Sequence, residues 1–544
     1  MKFIERFALL TAFSIILCVS NSHAQHDPGR NSMRFIAKED YQKAADTISK
    51  GPGRSNSDVN DAERAYVRAL MACKQGNLEL ALEETKTAIE LGMPIGRFIA
   101  GPREAFEKLY ELKGFQALKN QANPKIHGPM LGNVTDTSAS IWVRTEYAQD
   151  VVVTATPSAK NGHSLKPSNT QISATQKSTK ETDYTAVVTL ENLKPNTHYD
   201  YNIRLGDDPD APIPAESISA VYSFKTQPAY GKPAKFSVAF GGGAGFTPKH
   251  EHMWTTIKKQ DVNALLLLGD NVYIDDPEHQ LTQLYCYYRR QSQPLWRDLV
   301  SGVGVYTIYD DHDFGMDDCN PGPKIDEPAW KPEVWKTFVN NWNNPGYGGG
   351  EKQPGCWYTF QIADVQFIML DGRYYRDLKG GSMIGPVQKA WLFDTLKSST
   401  ATFKVIASPV PWSPGVKGGS RDTWDGFPDE REAIFSFIEK QKINGVLLMA
   451  ADRHRSDMRK IVRPNGYDLY EVMSSRLTNV HTHRLKEDAK GSEFIMGYNE
   501  KCSFGRIDFD TTAKSPTITY TMINIDGEKV GTQSLDLKTL SFPQ

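Results

Sequence analysis

The chain has 544 residues, with 65 acidic against 63 basic side chains and a net charge of −2. That balance gives no charge-based case for binding nucleic acid or an anionic membrane surface. The length exceeds what one hydrophobic core serves and calls for two to four domains. After residues 7–19, no stretch approaches the ~18 apolar residues that a membrane span requires.

Residues 1–24 place Lys2 and Arg6 ahead of that apolar run and end in Ser22-His23-Ala24, a small-x-small cleavage pattern. This reads as a secretory signal, so the chain is expected to be secreted or periplasmic. Cys73, Cys286, Cys319, Cys356 and Cys502 then form an odd set in an oxidising compartment, which leaves at least one free. A Cys319–Cys356 bridge and two free thiols are both open; the bridge would close about 37 residues and stabilise by roughly 3 to 4 kcal/mol. Residues 30–120 carry a 3.6-residue apolar rhythm, clearest in AERAYVRALMACKQGNLELALEETKTAIELG, which resembles one tetratricopeptide-like hairpin. One such unit cannot bury its own face and must dock on its neighbours.

From Ile126 the period changes to two. GNVTDTSASIWVRT, DVVVTATP and TDYTAVVTLENLKPNTHYDYNIRL alternate apolar and polar residues between Pro, Asn and Gly turns, the pattern of a β-sandwich over residues 126–228. LKPNTHYDYNI resembles the end of a fibronectin type III-like domain, with Tyr199 or Tyr201 near a strand corner.

Residues 232–541 hold the chemistry. FSVAFGGG is a strand running into three glycines, with His250 and His252 just beyond. VNALLLLGDNVYIDD is an apolar strand that stops at Gly269 and Asp270, with Asn271 and Tyr273 following. YYRRQSQPLWRDLV is an amphipathic helix offering Arg289 or Arg290 to a phosphate. GVGVYTIYDDHDFGMDD collapses from a strand into Asp310, Asp311, His312, Asp313, Asp317 and Asp318; these like charges repel unless a cation sits among them. A Gly/Asn/Pro-rich loop over residues 340–360 is long enough to wall a pocket. VQFIMLDGRYYRD ends in Asp371 and Arg373, and INGVLLMAADRHRSDM ends in Asp452 and His454. In an extended chain those last two would face the same side. Open α/β sheets place their sites at the carboxyl ends of strands, where these stretches would converge.

The ordered motifs GDNVYIDD, YDDHDFGMDD, LDGRYYRD and ADRHRSD resemble the PhoD-like alkaline phosphatases, a branch of the calcineurin-like metallophosphoesterases, over roughly residues 126–540. The resemblance implies an α+β, four-layer αββα metallophosphatase core behind the fibronectin type III-like sandwich and the helical region. It implies hydrolysis of phosphate monoesters or diesters, small or polymeric, by a metal-bound hydroxide. Asp270 would bridge two metals, Tyr273 would bind iron as a phenolate, and Asp452 and His454 would be further ligands. His312 would stand beside the phosphate as the proton donor, oriented by Asp310 or Asp311, and Arg290, Arg373 and Asn271 would contact substrate.

Two departures bear on the metals. Gly243 stands where the family has a cysteine ligand to iron, and Asp317 stands where it has an asparagine ligand to calcium. The first disfavours iron unless a histidine such as His250 replaces the thiolate. The second favours a hard cation, so Ca²⁺ with a second metal (Fe, Mn, Mg or Zn) is the expected complement. The readings left open beside this one are a phosphodiesterase for a polymer or lipid head group, and a non-catalytic exported binding protein on the same fold.

Overall fold

The computed structural model describes residues 27–50, 59–120, 125–158, 171–206 and 221–543. The leader expected over residues 1–24 lies outside them. Two mixed sheets form the body. One has nine strands in the order Lys529–Asp536, Thr517–Asn524, Ser503–Asp510, Lys235–Gly241, Ala264–Leu268, Gly304–Ile308, Lys125–Gly132, Ala139–Thr145 and Thr185–Leu190. The other has seven: Tyr358–Ile362, Val365–Met369, Phe403–Ala407, Val446–Ala450, Leu469–Met473, Ser456–Ile461 and Glu493–Tyr498.

The inner strands are mostly apolar because both of their faces are covered, and the exception in Phe403–Ala407, Lys404, turns its amine to the Ala401 and Asn444 carbonyls. All five side chains of Ala264–Leu268, Phe403–Ala407 and Val446–Ala450 are buried. Rings from the two sheets meet between them. Tyr306 stacks on Phe360 with centroids 3.8 Å apart, and Phe367 packs edge-on to Phe509 at 5.8 Å. Two facing mixed sheets match the central layers of the expected architecture. The inner strands are parallel and their carboxyl ends are level: Gly241 lies opposite Leu267, Leu268 opposite Ile308, Ala407 opposite both Met369 and Met449, and Ala450 opposite Met473.

The β region that precedes the core is joined to it. Lys125–Gly132 pairs in parallel with Gly304–Ile308, which satisfies the backbone groups of what would be an edge strand. A separate four-stranded sheet packs with this extension around a second, smaller core that includes Leu131, Ile141, Val151, Val153 and Phe224. Tyr199 accepts a hydrogen bond from the Lys194 backbone N–H at 2.8 Å, whereas Tyr201 donates across to the Ser301 carbonyl at 2.7 Å. The loop expected to wall the pocket laces these parts together instead. Asn343 donates to the Met130 and Ser140 carbonyls, and Asn344 to the Thr307 carbonyl.

Between positions 28 and 119 the described residues form seven helices. Asn60 and Asn77 cap Asp61–Lys74 and Leu78–Glu90 by accepting from the Glu63 and Leu80 backbone N–H groups. These helices dock on helix Gln280–Ser292 through polar contacts that are themselves buried. Arg97 donates to the Tyr285 carbonyl, Tyr285 donates to Glu63, and Arg289 pairs with Asp27. The five cysteines within the described residues are free, so the Cys319–Cys356 bridge does not form. Cys356 is held instead against Tyr309 and Asp371, its backbone N–H donating to the Asp371 carboxylate, and Cys319 packs on Gly315.

Removing one partner of a buried ion pair strands the other. Arg289→Met should therefore destabilise the protein by about 3 to 5 kcal/mol, with Asp27 left charged inside the interface. Urea unfolding followed by circular dichroism checks this, and an unchanged midpoint would show that the helical region contributes nothing to the stability of the core.

Candidate metal and phosphate site

The loops that leave the level strand ends carry the acids. Gly269 turns at φ +101°, and a Cβ there would lie 2.4 Å from the Cβ of Asp310. Only glycine lets the Asp270 and Asp310 loops approach this closely. Four of the expected ligands sit in the left-handed region that non-glycine residues seldom adopt: Asp270 at φ 54°, Tyr273 at 52°, Asp452 at 67° and His454 at 46°. Asp452 and His454 are thus not the extended pair expected from their spacing.

Tyr273 is the hub. Its hydroxyl donates to Asp270 Oδ2 at 3.1 Å and lies 2.9 Å from His454 Nε2, while its ring stacks on His312 with centroids 4.6 Å apart. Three groups each bring one ligand atom per residue within 4.8 Å of one another: Asp270, Asp311 and His312; Asp311, Asp317 and Asp318; and His454, His481 and His483. Asp270 Oδ1, Asp311 Oδ1, Asp452 Oδ2 and His454 Nδ1 are buried without a hydrogen-bond partner among the described residues. Buried polar atoms are rarely left so, and oxygens and nitrogens clustered in this way fit divalent cations. Asp317 stands at the rim with a side chain 52% exposed, 3.7 Å from His312 Nε2.

Electrostatics divides the acids. Burial pushes Asp270 well above the carboxylate range; His312 opposes this, and Asp311, Asp310 and Asp313 add to it. A cation among these groups would reverse that balance. For His312, burial disfavours charge, but the carboxylates of Asp275, Asp311 and Asp270 outweigh it and hold the imidazole well above its usual value. Burial would likewise raise Asp275, yet His312 and Arg30 bring it down to about 2. The pair is therefore an imidazolium on a carboxylate, with Nδ1 of His312 bonded to Asp275 Oδ1 and Arg30 Nη1 2.6 Å from Asp275 Oδ2.

Several expected roles move. Asp275 orients His312, not Asp310 or Asp311: Asp310 is taken by Arg373, and Asp311 accepts from the Asp318 backbone N–H at 2.6 Å. Arg290 is turned from the site, pairing with Glu251 at 2.7 Å and donating to the Ala244 carbonyl, so it supports the glycine loop. Arg373 is fully buried among Asp310, Asp311 and Asp422, where its charge offsets theirs. Asn271 donates to Asp313 and to the Ile308 carbonyl. His250 faces the Thr478 carbonyl at 2.9 Å and belongs to none of the three groups. Asp452 also belongs to none and lies 3.6 Å from Arg453 Nη1.

Sequence reasoning passed over Asp275, although it lies in the quoted GDNVYIDD, and over Lys417, Asp422, His481 and His483. Lys417, on a separate loop, brings its amine 3.2 Å from Asp318 and 3.5 Å from Asp422. The spacing in NVHTHRL was the one available signal for the two histidines.

Comparison with known proteins agrees with this geometry. The model of the PhoD-like phosphatase family matches residues 342–520, and that of a domain of unknown function matches residues 123–223. Alkaline phosphatase D of Bacillus subtilis (strain 168) is 32% identical over 323 residues, which make up 49% of this chain and 53% of that protein, so the match spans about half the length of that curated relative. The structure of PhoD superposes with a TM-score of 0.57 at 17% identity, covering 74% of this chain and 91% of that one. The purple acid phosphatase PPD1 from yellow lupin (Lupinus luteus) seeds does so with 0.56 at 14%, covering 78% of each. At those identities the two superpositions speak for the fold alone. The ordered motifs thus stand on the level strand ends of a fold shared with those two structures, and residues 342–520 carry the match to the PhoD-like phosphatase family.

Proposed function

We propose that the protein is an exported, metal-dependent phosphohydrolase acting on phosphate esters. The observation that carries this reading is the His312–Asp275 pair, with a His312 nitrogen and carboxylate oxygens of Asp270 and Asp311 within 4.8 Å of one another. Asp270 and Asp311, with Asp317 and Asp318 at the rim, offer hard oxygen to a cation such as Ca²⁺. Tyr273 and His454 offer a phenol oxygen and an imidazole to a second ion. Cations held there supply Lewis-acid charge for the phosphate oxygens and the attacking water.

The chain's own residues do the rest. Asp275 fixes the ring of His312 through Nδ1, which leaves Nε2–H as the donor to a phosphoryl or leaving oxygen. Tyr273 stacked on that ring holds its plane, and Arg30 holds Asp275 from the other side. Lys417 adds a cation at the mouth, suited to a substrate oxyanion. Among the described residues no helix is long and apolar enough to cross a membrane, and the leader-like residues 1–24 support export.

Stripping the protein with a chelator should abolish hydrolysis of p-nitrophenyl phosphate and of its bis ester. Restoring Ca²⁺ together with Mn²⁺ or Zn²⁺ should recover turnover and raise the melting temperature, since a ligand at a hundred times its Kd stabilises the native state by about 2.7 kcal/mol. Turnover and melting that ignore the chelator would refute the metal requirement, and the ratio of the two rates separates monoesterase from diesterase.

Asp275→Asn should keep its metal, by elemental analysis, and lose on the order of a hundredfold in kcat. It should also move the basic limb of the kcat–pH profile to lower pH, because an imidazolium without its carboxylate gives up its proton sooner. A basic limb left in place would take His312 out of the role of acid.

A further inference from the structure

We infer that His454, His481 and His483 form an imidazole-rich site for a divalent transition ion, and that this triad supplies the donors that Gly243 cannot. The inference deepens the proposed function, since it assigns ligands at the edge of the same metal centre, and nothing in the ordered motifs pointed to His481 or His483.

The argument starts at the glycine loop. Gly243 has φ +68°, and a Cβ added there would lie 3.0 Å from the Arg476 backbone nitrogen and 3.3 Å from Ser475 Oγ. At that φ and those distances a side chain would be strained and would have to push back its neighbour, which is the segment that carries the histidines. Leu477 N–H donates to the Gly242 carbonyl, and Thr478 and Asn479 N–H both donate to the Gly243 carbonyl, at 3.0, 3.2 and 3.1 Å. Thr478 Oγ1 donates to the Gly245 carbonyl at 2.6 Å. A side chain is missing from one loop, and the neighbouring loop occupies its place.

That segment then runs over His454 and is pinned there. Thr482 Oγ1 donates to the His454 carbonyl at 3.0 Å, the His481 N–H donates to Asn479 Oδ1 at 3.0 Å, and Asn499 donates to the His483 carbonyl at 2.9 Å. The backbone on both sides of Thr482 is thus fixed before any ion arrives, which lowers the ordering cost of binding. The rings converge, with centroids 5.3 Å apart for His454 and His481, 5.7 Å for His454 and His483, and 4.6 Å for His481 and His483. One nitrogen from each lies within 4.8 Å of the others.

An independent observation comes from His454 itself. It is 7% exposed, its Nε2 faces the Tyr273 hydroxyl, and its Nδ1 is buried with no hydrogen-bond partner among the described residues. A buried imidazole nitrogen without a partner beside two more imidazoles is a ligand set without formal charge. Such a set selects borderline ions such as Zn²⁺, Co²⁺ or Ni²⁺ over Ca²⁺ and Mg²⁺, which need carboxylates. The centre would then be divided by chemistry, with oxygen donors around Asp311 and nitrogen donors around His454.

The test uses the full-length protein, stripped of metal and loaded with one equivalent of Zn²⁺ in the presence of Ca²⁺. X-ray absorption fine structure at the zinc edge should show three imidazole donors in the wild type. One imidazole or none would overturn the triad. Co²⁺ titrations followed by visible absorption should weaken at least ~100-fold in His481→Ala and in His483→Ala, more than the 10- to 100-fold expected when only an outer partner is lost. Unchanged affinity in both variants would also overturn it. The wild-type spectrum needs no folded variant, and neither readout uses turnover. Three imidazoles in a protein that hydrolyses no phosphate ester would sink the proposed function and leave the triad standing; one imidazole in an active enzyme would do the reverse.

Discussion

The structure turns on the burial of like charges at level strand ends. Asp270, Asp310, Asp311 and Asp313 are only 1–3% exposed. Two carboxylates 4 Å apart repel by about 4 kcal/mol at an effective dielectric constant of about 20, so each must be given a partner or a reason to be neutral. The fold sorts them. Asp313 is a backbone clamp that accepts from the Asn271 and Val272 N–H groups, and Asp371 clamps Arg373 and Tyr374 in the same way. Asp310 is spent on Arg373. Asp270 and Asp311, which group with His312, each keep an Oδ1 that accepts no hydrogen bond among the described residues, as Asp310 keeps its Oδ2, with Arg373 Nη2 3.6 Å from the Asp311 oxygen. The acids that serve structure and the acids that serve a cation thus come from the same run of sequence.

A second chain of contacts starts outside the core. Arg30, in helix Pro28–Ala37, donates both to the Tyr273 carbonyl and to Asp275, and Asp275 in turn holds His312. The helical region therefore reaches the site, because Arg30 joins His312 in holding the Asp275 carboxylate in its charged form. Arg289 with Asp27 and Arg97 with Tyr285 fasten the same helices a few residues away, which fixes where Arg30 can reach. Loss of docking would be felt first at Asp275, whose carboxyl would lose one of the charges that hold it low.

The strand ends were legible because an apolar run that stops at Gly-Asp has few other readings, and Asp270, Tyr273, His312 and His454 do converge. Their local geometry was not legible. The spacing of Asp452 and His454 pointed to an extended chain, whereas both residues are left-handed. Partner choice was hidden for a related reason. Asp275 and His312 are 37 residues apart, and nothing in the sequence ranks Asp275 above Asp310 or Asp311, which lie within two residues of the histidine. Arg290 looked free on an amphipathic helix, but Glu251 claims it from a loop that has no motif. The sheet that runs unbroken from the β region into the core was equally invisible, since strand order across the Lys125–Gly132 and Gly304–Ile308 pair is set by tertiary contact and not by local pattern.

The left-handed backbone at Asp270, Tyr273, Asp452 and His454 gives a last constraint. Each such residue costs on the order of 1 to 3 kcal/mol, and four in one site survive only where rigid neighbours over-determine them. The neighbours here are the parallel strands Ala264–Leu268 and Val446–Ala450, wholly buried and hydrogen-bonded on both sides, from which these loops emerge within a few residues. A loop that ordered itself only around an ion would have to supply that strain energy from the ion's own binding. Because the sheet supplies it during folding, the donors stand in place beforehand, and binding energy remains for the cation and the phosphate. The strain thus belongs to the scaffold's stability, and the site draws preorganisation from it.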